Sequence, residues 1–175
     1  IQLNEQFHQD YHIAINLSVV QLQDYHFYQR LMDIMKRTGF KPSHIEFEIT
    51  EGILIEAFDQ VIHVLESLIQ LGFRFSLDDF GTGYSSLSYL KKLPISILKI
   101  DKSFVWDLVD DQENSLVGSI IDMAHKMKLY VIAEGVENDE QYKLIHQLGC
   151  DAIQGYYIGR PQTQNGLVHY LRDQK

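Results

Sequence analysis

Hydrophobic and polar residues alternate along six short stretches of this chain, and between those stretches the apolar positions return every three or four residues. The alternating stretches are HIAINL (12–17), HIEFEI (44–49), FRFSLD (73–78), ILKID (97–101), YVIAE (130–134) and DAIQGY (151–156). A period of two predicts strands, because successive side chains of a strand point to opposite faces. The intervening pattern predicts amphipathic helices around 24–38 with Leu31, Met32 and Met35, around 57–71 with Val61, Leu65 and Leu68, and around 114–128 with Leu116, Ile120 and Met123. Shorter helices fit 84–92 and 139–148. Gly39, Gly72 and Gly149 follow helical runs where a left-handed cap is expected, and Asn138 with Gln141 marks a helix start.

Strands separated by single helices cannot pair as hairpins, so the sheet is expected to be parallel, either an open doubly wound sheet or a closed (β/α) barrel. The two faces of the strands choose between them. Ile45, Phe47 and Ile49 share one face while Glu46 and Glu48 share the other; Phe73, Phe75 and Leu77 oppose Arg74, Ser76 and Asp78; Leu98 and Ile100 oppose Lys99 and Asp101. A doubly wound sheet, covered on both faces, calls for continuous apolar strands. A barrel with an apolar outer face and an inner face that turns polar towards one end fits better. Asn16, Glu48, Asp78, Lys99, Glu134 and Gln154 each stand at or near a strand end, which in (β/α) barrels is the mouth where active sites form.

Composition narrows the chemistry. With 175 residues, 45% apolar and 22% charged, the chain can bury a core. The net charge of −9 argues against a duplex nucleic-acid partner, which calls for a basic patch. An anionic ligand would need metal ions to supply positive charge. The single cysteine, Cys150, precludes an internal disulfide and fits a reducing, cytoplasmic setting as a small buried filler. No apolar run approaches the roughly 20 residues of a membrane helix, so no direct membrane contact by this domain is expected.

Taken singly, an Asn or Gln at a strand end is a capping group and a Lys a solvated one. Together, six such residues at the same point of successive βα units converge on one mouth, with Asp79 beside Asp78. Two like charges about 4 Å apart repel by about 4 kcal/mol at an effective dielectric of about 20, so the carboxylates need cations or raised pKa values. An all-oxygen donor set, with no neighbouring thiolate or imidazole, suits Mg²⁺ or Mn²⁺ better than Zn²⁺. Two such ions beside a lysine suit attack of water on a phosphate ester. The DFG letters at Asp79-Phe80-Gly81 do not make a kinase, for lack of a nucleotide loop and an HRD segment, and GTGYSS is a poor dinucleotide fingerprint because Ser86 stands in place of the third glycine.

The ordered succession NLS (16–18), EITE (48–51), DDFGTGYSSL (78–87), LKIDKSF (98–104), AEGVE (133–137) and QGYYIGRP (154–161) resembles the EAL domain of bacterial cyclic di-GMP phosphodiesterases, across essentially the whole chain. The resemblance implies an α/β fold, a modified (β/α)8 TIM-like barrel lacking its first strands, so that residues 1–175 form the C-terminal three quarters with strands three to eight. It implies hydrolysis of cyclic di-GMP to linear pGpG with two Mg²⁺ or Mn²⁺ ions. Asn16 and Glu48 would hold one ion, Asp78 would bridge, and Asp79 with Glu134 would serve the second. Lys99 would position the attacking water or the phosphate, assisted by Gln154. Glu51 would anchor the loop after Asp79, with Thr82, Gly83, Asp101 and Glu137 in support, and that loop would contact a second copy in a homodimer. The signature Glu-Ala-Leu triplet is absent, and Glu56-Ala57-Phe58 is a decoy in a helical stretch. The fragment is therefore expected to be impaired; covalently linked sensory or diguanylate cyclase domains and a membrane anchor are left open for its parent. The rival reading is an inactive cyclic di-GMP receptor or a protein-interaction domain.

Overall fold

The structure, a computed structural model, describes residues 2–52, 58–83, 87–110 and 116–173. Six strands, β1 (Ile13–Asn16), β2 (Ile45–Thr50), β3 (Arg74–Phe80), β4 (Ile97–Ile100), β5 (Tyr130–Glu134) and β6 (Ala152–Gln154), form one sheet in chain order. Every neighbouring pair is parallel. The sheet curls into a half-barrel whose edges are β1 and β6. Each strand overlaps a stretch predicted from the period-two pattern.

The crossovers are α3 (Phe27–Thr38), α4 (Phe58–Gln70), α5 (Leu87–Leu90), α6 (Lys102–Asp110) with α7 (Val117–Lys126), and α8 (Asp139–Gln147); α1 (Gln2–Phe7), α2 (Val19–Gln23) and α9 (Gln164–Asp173) complete the described helices. Their apolar stripes cover the outer face of the sheet. Phe47, Ile49, Phe75, Leu77, Leu98, Ile100, Val131 and Ala133 pack there against Leu65 and Leu68 of α4, Val105 and Leu108 of α6, Ile121 and Ala124 of α7 and Ile145 of α8, in one continuous core. The buried polar side chains Glu48, Ser76 and Lys99 belong to the other face of the strands.

The predicted punctuation holds at Gly39, Gly72 and Gly149, which take φ of 67°, 100° and 79°. Asn138 Oδ1 accepts from Gln141 N–H and starts α8. The predicted helix at 24–38 begins three residues later, because the Asp24 carboxylate takes the His26 N–H and pairs with Arg30, a turn that competes with helix. Ahead of it, Ser18 and Gln21 form a reciprocal capping box that starts α2. The helix α6 was not foreseen, and residues 84–86 and 114–115 of two predicted helices lie outside the described residues, as do Glu56 and Ala57 of the decoy triplet. Among the described residues no helix is long and apolar enough to cross a membrane.

Candidate functional site

Lys99 sits in β4 between Leu98 and Ile100, whose side chains enter the outer core, so its own side chain goes to the inner face, where it is 2% exposed. There Nζ hydrogen-bonds Glu48 Oε1 of β2, stands 2.6 Å from Glu134 Oε1 of β5, and lies 3.1 Å from Asp78 Oδ1 of β3. Four different strands thus deliver one ammonium and three carboxylates to one point. Burial alone would lower the lysine pKa, yet Glu134 and Glu48 reverse that and hold it well above its ordinary value. The ammonium is therefore charged throughout the physiological range. The carboxylates share one cation among them, so each is under-supplied. Glu134 titrates above its ordinary range, raised by burial and by Asp78 and Glu48 beyond what Lys99 draws back.

The pair Asp78-Asp79 reaches the mouth through an irregularity in β3. In a regular strand adjacent side chains take opposite faces, and Asp79 would point to the helices. Here Leu77 pairs with Leu98 and Phe80 with Ile100, so Asp78 and Asp79 together oppose Lys99 alone. This is a bulge, with Asp79 at φ 55°, a left-handed conformation that aspartate tolerates better than most residues. One oxygen from each of Asp78, Asp79 and Glu134 then falls within 4.8 Å of the others. Burial, followed by repulsion from Asp78 and Asp101, raises the Asp79 pKa.

The loop beyond the bulge is held by the residue that follows β2. Glu51, 4% exposed, accepts from the N–H groups of Gly81 and Gly83 through Oε2, each at 3.2 Å. Thr82 Oγ1 donates to the Asp79 carbonyl at 2.9 Å. Gly81 is required, since its φ is 101° and a Cβ there would lie 2.5 Å from the Phe104 ring of α6. Asp101 caps α6 by accepting from the Ser103 N–H at 3.0 Å and from its hydroxyl. Burial raises its carboxyl pKa, but the Ser103 and Lys102 hydrogen bonds more than offset this and leave it below the ordinary range.

Asn16 pairs in register with Glu48, and Gln154 with Glu134, so both flank the cluster on the edge strands, where they are exposed. Glu137 is exposed as well, and its N–H donates to Gln141 Oε1. The sequence pattern missed α6 and what it contributes: Trp106 Nε1 donates to the Gly135 carbonyl, and the Lys102 ammonium stands over the indole. The signal was the Asp101-Lys102-Ser103 start, an aspartate at a helix N-cap followed by Phe104, Val105 and Leu108.

The donor set fits a hard divalent cation. It is all oxygen, and Oδ1 of Asp78 is buried without an aligned hydrogen bond despite its proximity to Lys99. A buried acceptor without a donor costs free energy that a ligated cation removes.

A protein-family model described as the EAL domain matches residues 1–161. The chain belongs to the EAL domain family. This EAL domain is 44% identical over 166 residues to the signaling protein YkoW of Bacillus subtilis, covering 94% of this chain and 21% of that protein. It is 38% identical over 162 residues to MucR of Pseudomonas aeruginosa, named a bifunctional diguanylate cyclase/cyclic di-GMP phosphodiesterase, covering 92% of this chain and 24% of MucR. The chain therefore spans under a quarter of the length of both relatives. The fold matches the MucR phosphodiesterase in its c-di-GMP complex with a TM-score of 0.88 at 37% identity, covering 95% of this chain and 68% of that one. It matches a manganese/cyclic di-GMP complex of Klebsiella pneumoniae BlrP1 with a TM-score of 0.79 at 31% identity, covering 91% and 41%.

Proposed function

We propose that this chain is part of a divalent-metal-dependent phosphodiesterase that opens cyclic di-GMP to linear pGpG. The observation that carries the reading is the meeting of Glu48, Asp78 and Glu134 on Lys99, with Asp79 brought beside them by the bulge. Asp78, Asp79 and Glu134 would hold one ion and Asn16 and Glu48 the other, with Asp78 contributing to both. Bound Mg²⁺ or Mn²⁺ would supply charge stabilisation of the attacking and leaving oxygens. Lys99 orients the water or the phosphate from the inner face, and Gln154, in register with Glu134, assists on the far side. Glu51 holds the Gly81–Gly83 turn so that Asp79 keeps its left-handed conformation. Water attacks phosphorus, one ring P–O ester bond breaks, a proton from the water passes to the leaving ribose oxygen, and the ring opens.

In the same reading the six strands are strands three to eight of an eight-stranded barrel, the loop after Asp79 is a homodimer contact, and the longer parent works in the cytoplasm with sensory or cyclase domains linked to this one. The naming of MucR as bifunctional and the metal in the BlrP1 complex support it. Among the described residues the six strands surround the mouth on one side, and a cyclic di-GMP receptor is the second reading of that geometry.

Incubation with cyclic di-GMP and Mn²⁺, followed by chromatography, should yield pGpG from the wild-type chain. Asp78→Asn and Glu134→Gln should yield none. Calorimetric binding of cyclic di-GMP in Ca²⁺ without cleavage in Mn²⁺ would select the receptor.

A further inference from the structure

Lys99 and Trp106 belong to one short run of chain, and both reach the end of β5. Lys99, in β4, meets the Glu134 carboxylate with Nζ 2.6 Å from Oε1. Further along the same run, in α6, Trp106 Nε1 donates to the carbonyl of Gly135, the residue after Glu134, at 3.1 Å. Glu134 is thus held at its side chain by β4 and at its following peptide by α6. That peptide lies directly on the first turn of α6: Gly135 has a φ of 69°, and a Cβ there would stand 2.3 Å from Lys102 Cβ and 3.4 Å from the indole nitrogen. The ring has a fixed seat, because Lys102 stands one turn before Trp106 and its ammonium lies 5.4 Å from the ring centroid. Yet the residue is 43% exposed and lies outside the core. An aromatic at the surface, with its single donor turned to a main-chain carbonyl, fixes that peptide more than it fills the interior.

We infer that Trp106 is a positioning residue for Glu134: its indole N–H, through the Gly135 carbonyl, fixes the main chain from which the Glu134 carboxylate reaches the mouth. This rests on the reading of Glu134 as a metal ligand. The loop is tied on its far side, where Val136 N–H donates to the Gln154 carbonyl. The indole ties the near side, at the residue adjoining the ligand. Gly135 has no Cβ to restrict its backbone, so the restraint has to come from outside the loop. Holding that peptide sets where Glu134 stands relative to Asp78 and Asp79, and partners behind a ligand tune ion affinity.

The test uses the whole chain and Mn²⁺ as the probe, with binding read by paramagnetic resonance of the free ion and melting temperature in EDTA by circular dichroism. Trp106→Phe keeps a ring beneath the Lys102 ammonium and removes the donor. It should weaken Mn²⁺ binding about five- to tenfold, with the melting temperature in EDTA close to that of the wild type. Leu108→Ala opens the buried side of α6 away from Gly135 and should do the reverse, lowering the melting temperature and leaving Mn²⁺ affinity as it was. Unchanged affinity in Trp106→Phe overturns the inference. An equal loss in Leu108→Ala overturns it too, because the effect would then belong to the stability of α6 as a whole. If Trp106→Phe does not fold, benzothienylalanine at this position, which keeps the shape of the ring with sulfur in place of the N–H, decides with the same expected loss. A wild-type chain that binds no Mn²⁺ overturns the reading of Glu134 as a ligand and this inference with it, whereas Mn²⁺ bound equally well with and without the donor overturns the inference alone.

Discussion

At Asp79 and Glu134 the carboxyl groups meet burial first and neighbouring carboxylates next, and both titrate above their ordinary range. Each must lose its proton to ligate a cation, so divalent-ion affinity should rise with pH while these two groups titrate and level off above that range. Calorimetry with Mn²⁺ over that range checks this; a flat profile would contradict it. Without metal the sign is opposite. A carboxyl whose folded pKa lies above its unfolded value makes the fold less stable as pH rises through that window. Lys99 works the other way, since its folded pKa is raised: its contribution is whole below the unfolded value of about 10.4 and is lost only in alkaline solution. Glu48, Asp78, Lys99 and Glu134 were legible as site residues because alternation fixes which face a strand residue takes. The same alternation sends Asp79 to the wrong face, and nothing local in SLDDFG announces the bulge that corrects it.

Among the elements, β3 and the loops that follow β5 and β6 set the geometry of the mouth. Val136 N–H donates to the Gln154 carbonyl and Tyr157 N–H to the Val136 carbonyl, which lashes the ends of β5 and β6 together. Gly155 makes this possible, because a Cβ there would lie 2.1 Å from the Val136 carbonyl oxygen, a backbone atom that cannot swing away. Gly155→Ala should therefore part the two strand ends, cost about 1–3 kcal/mol in urea unfolding, and impair turnover through Glu134 and Gln154. Retained stability and activity would contradict the close packing. The helices α4, α7 and α8 were legible from their apolar period. The helix α6 was not, although Asp101 and Ser103 form its cap, because its apolar residues follow directly on those of β4 and the two periods merge.

For the whole molecule, the acidic mouth makes the fold responsive to cations. An ion that binds the native chain and not the unfolded one stabilises it by about 2.7 kcal/mol at about a hundredfold excess over Kd. Mn²⁺ or Mg²⁺ should thus raise the melting temperature in scanning calorimetry, EDTA should reverse the rise, and Glu134→Gln should blunt it. An unchanged melting temperature would count against an ion in this mouth. The sheet as a whole ends at β1 and β6, and Ile13 and Ile15 of β1 are exposed on its outer face.

The amino-acid sequence by itself determined the parallel α/β order, the outward apolar face and the inward residues Glu48, Asp78, Lys99 and Glu134, because strand and helix periods are local properties of the chain. Only the tertiary structure decided that Lys99 is clasped by three carboxylates, that a bulge turns Asp79 towards them, and that Glu51 reaches across to the Gly81 and Gly83 amides. Those contacts join residues up to 51 positions apart, and their distances depend on strand register and sheet curl, which no short window of sequence encodes.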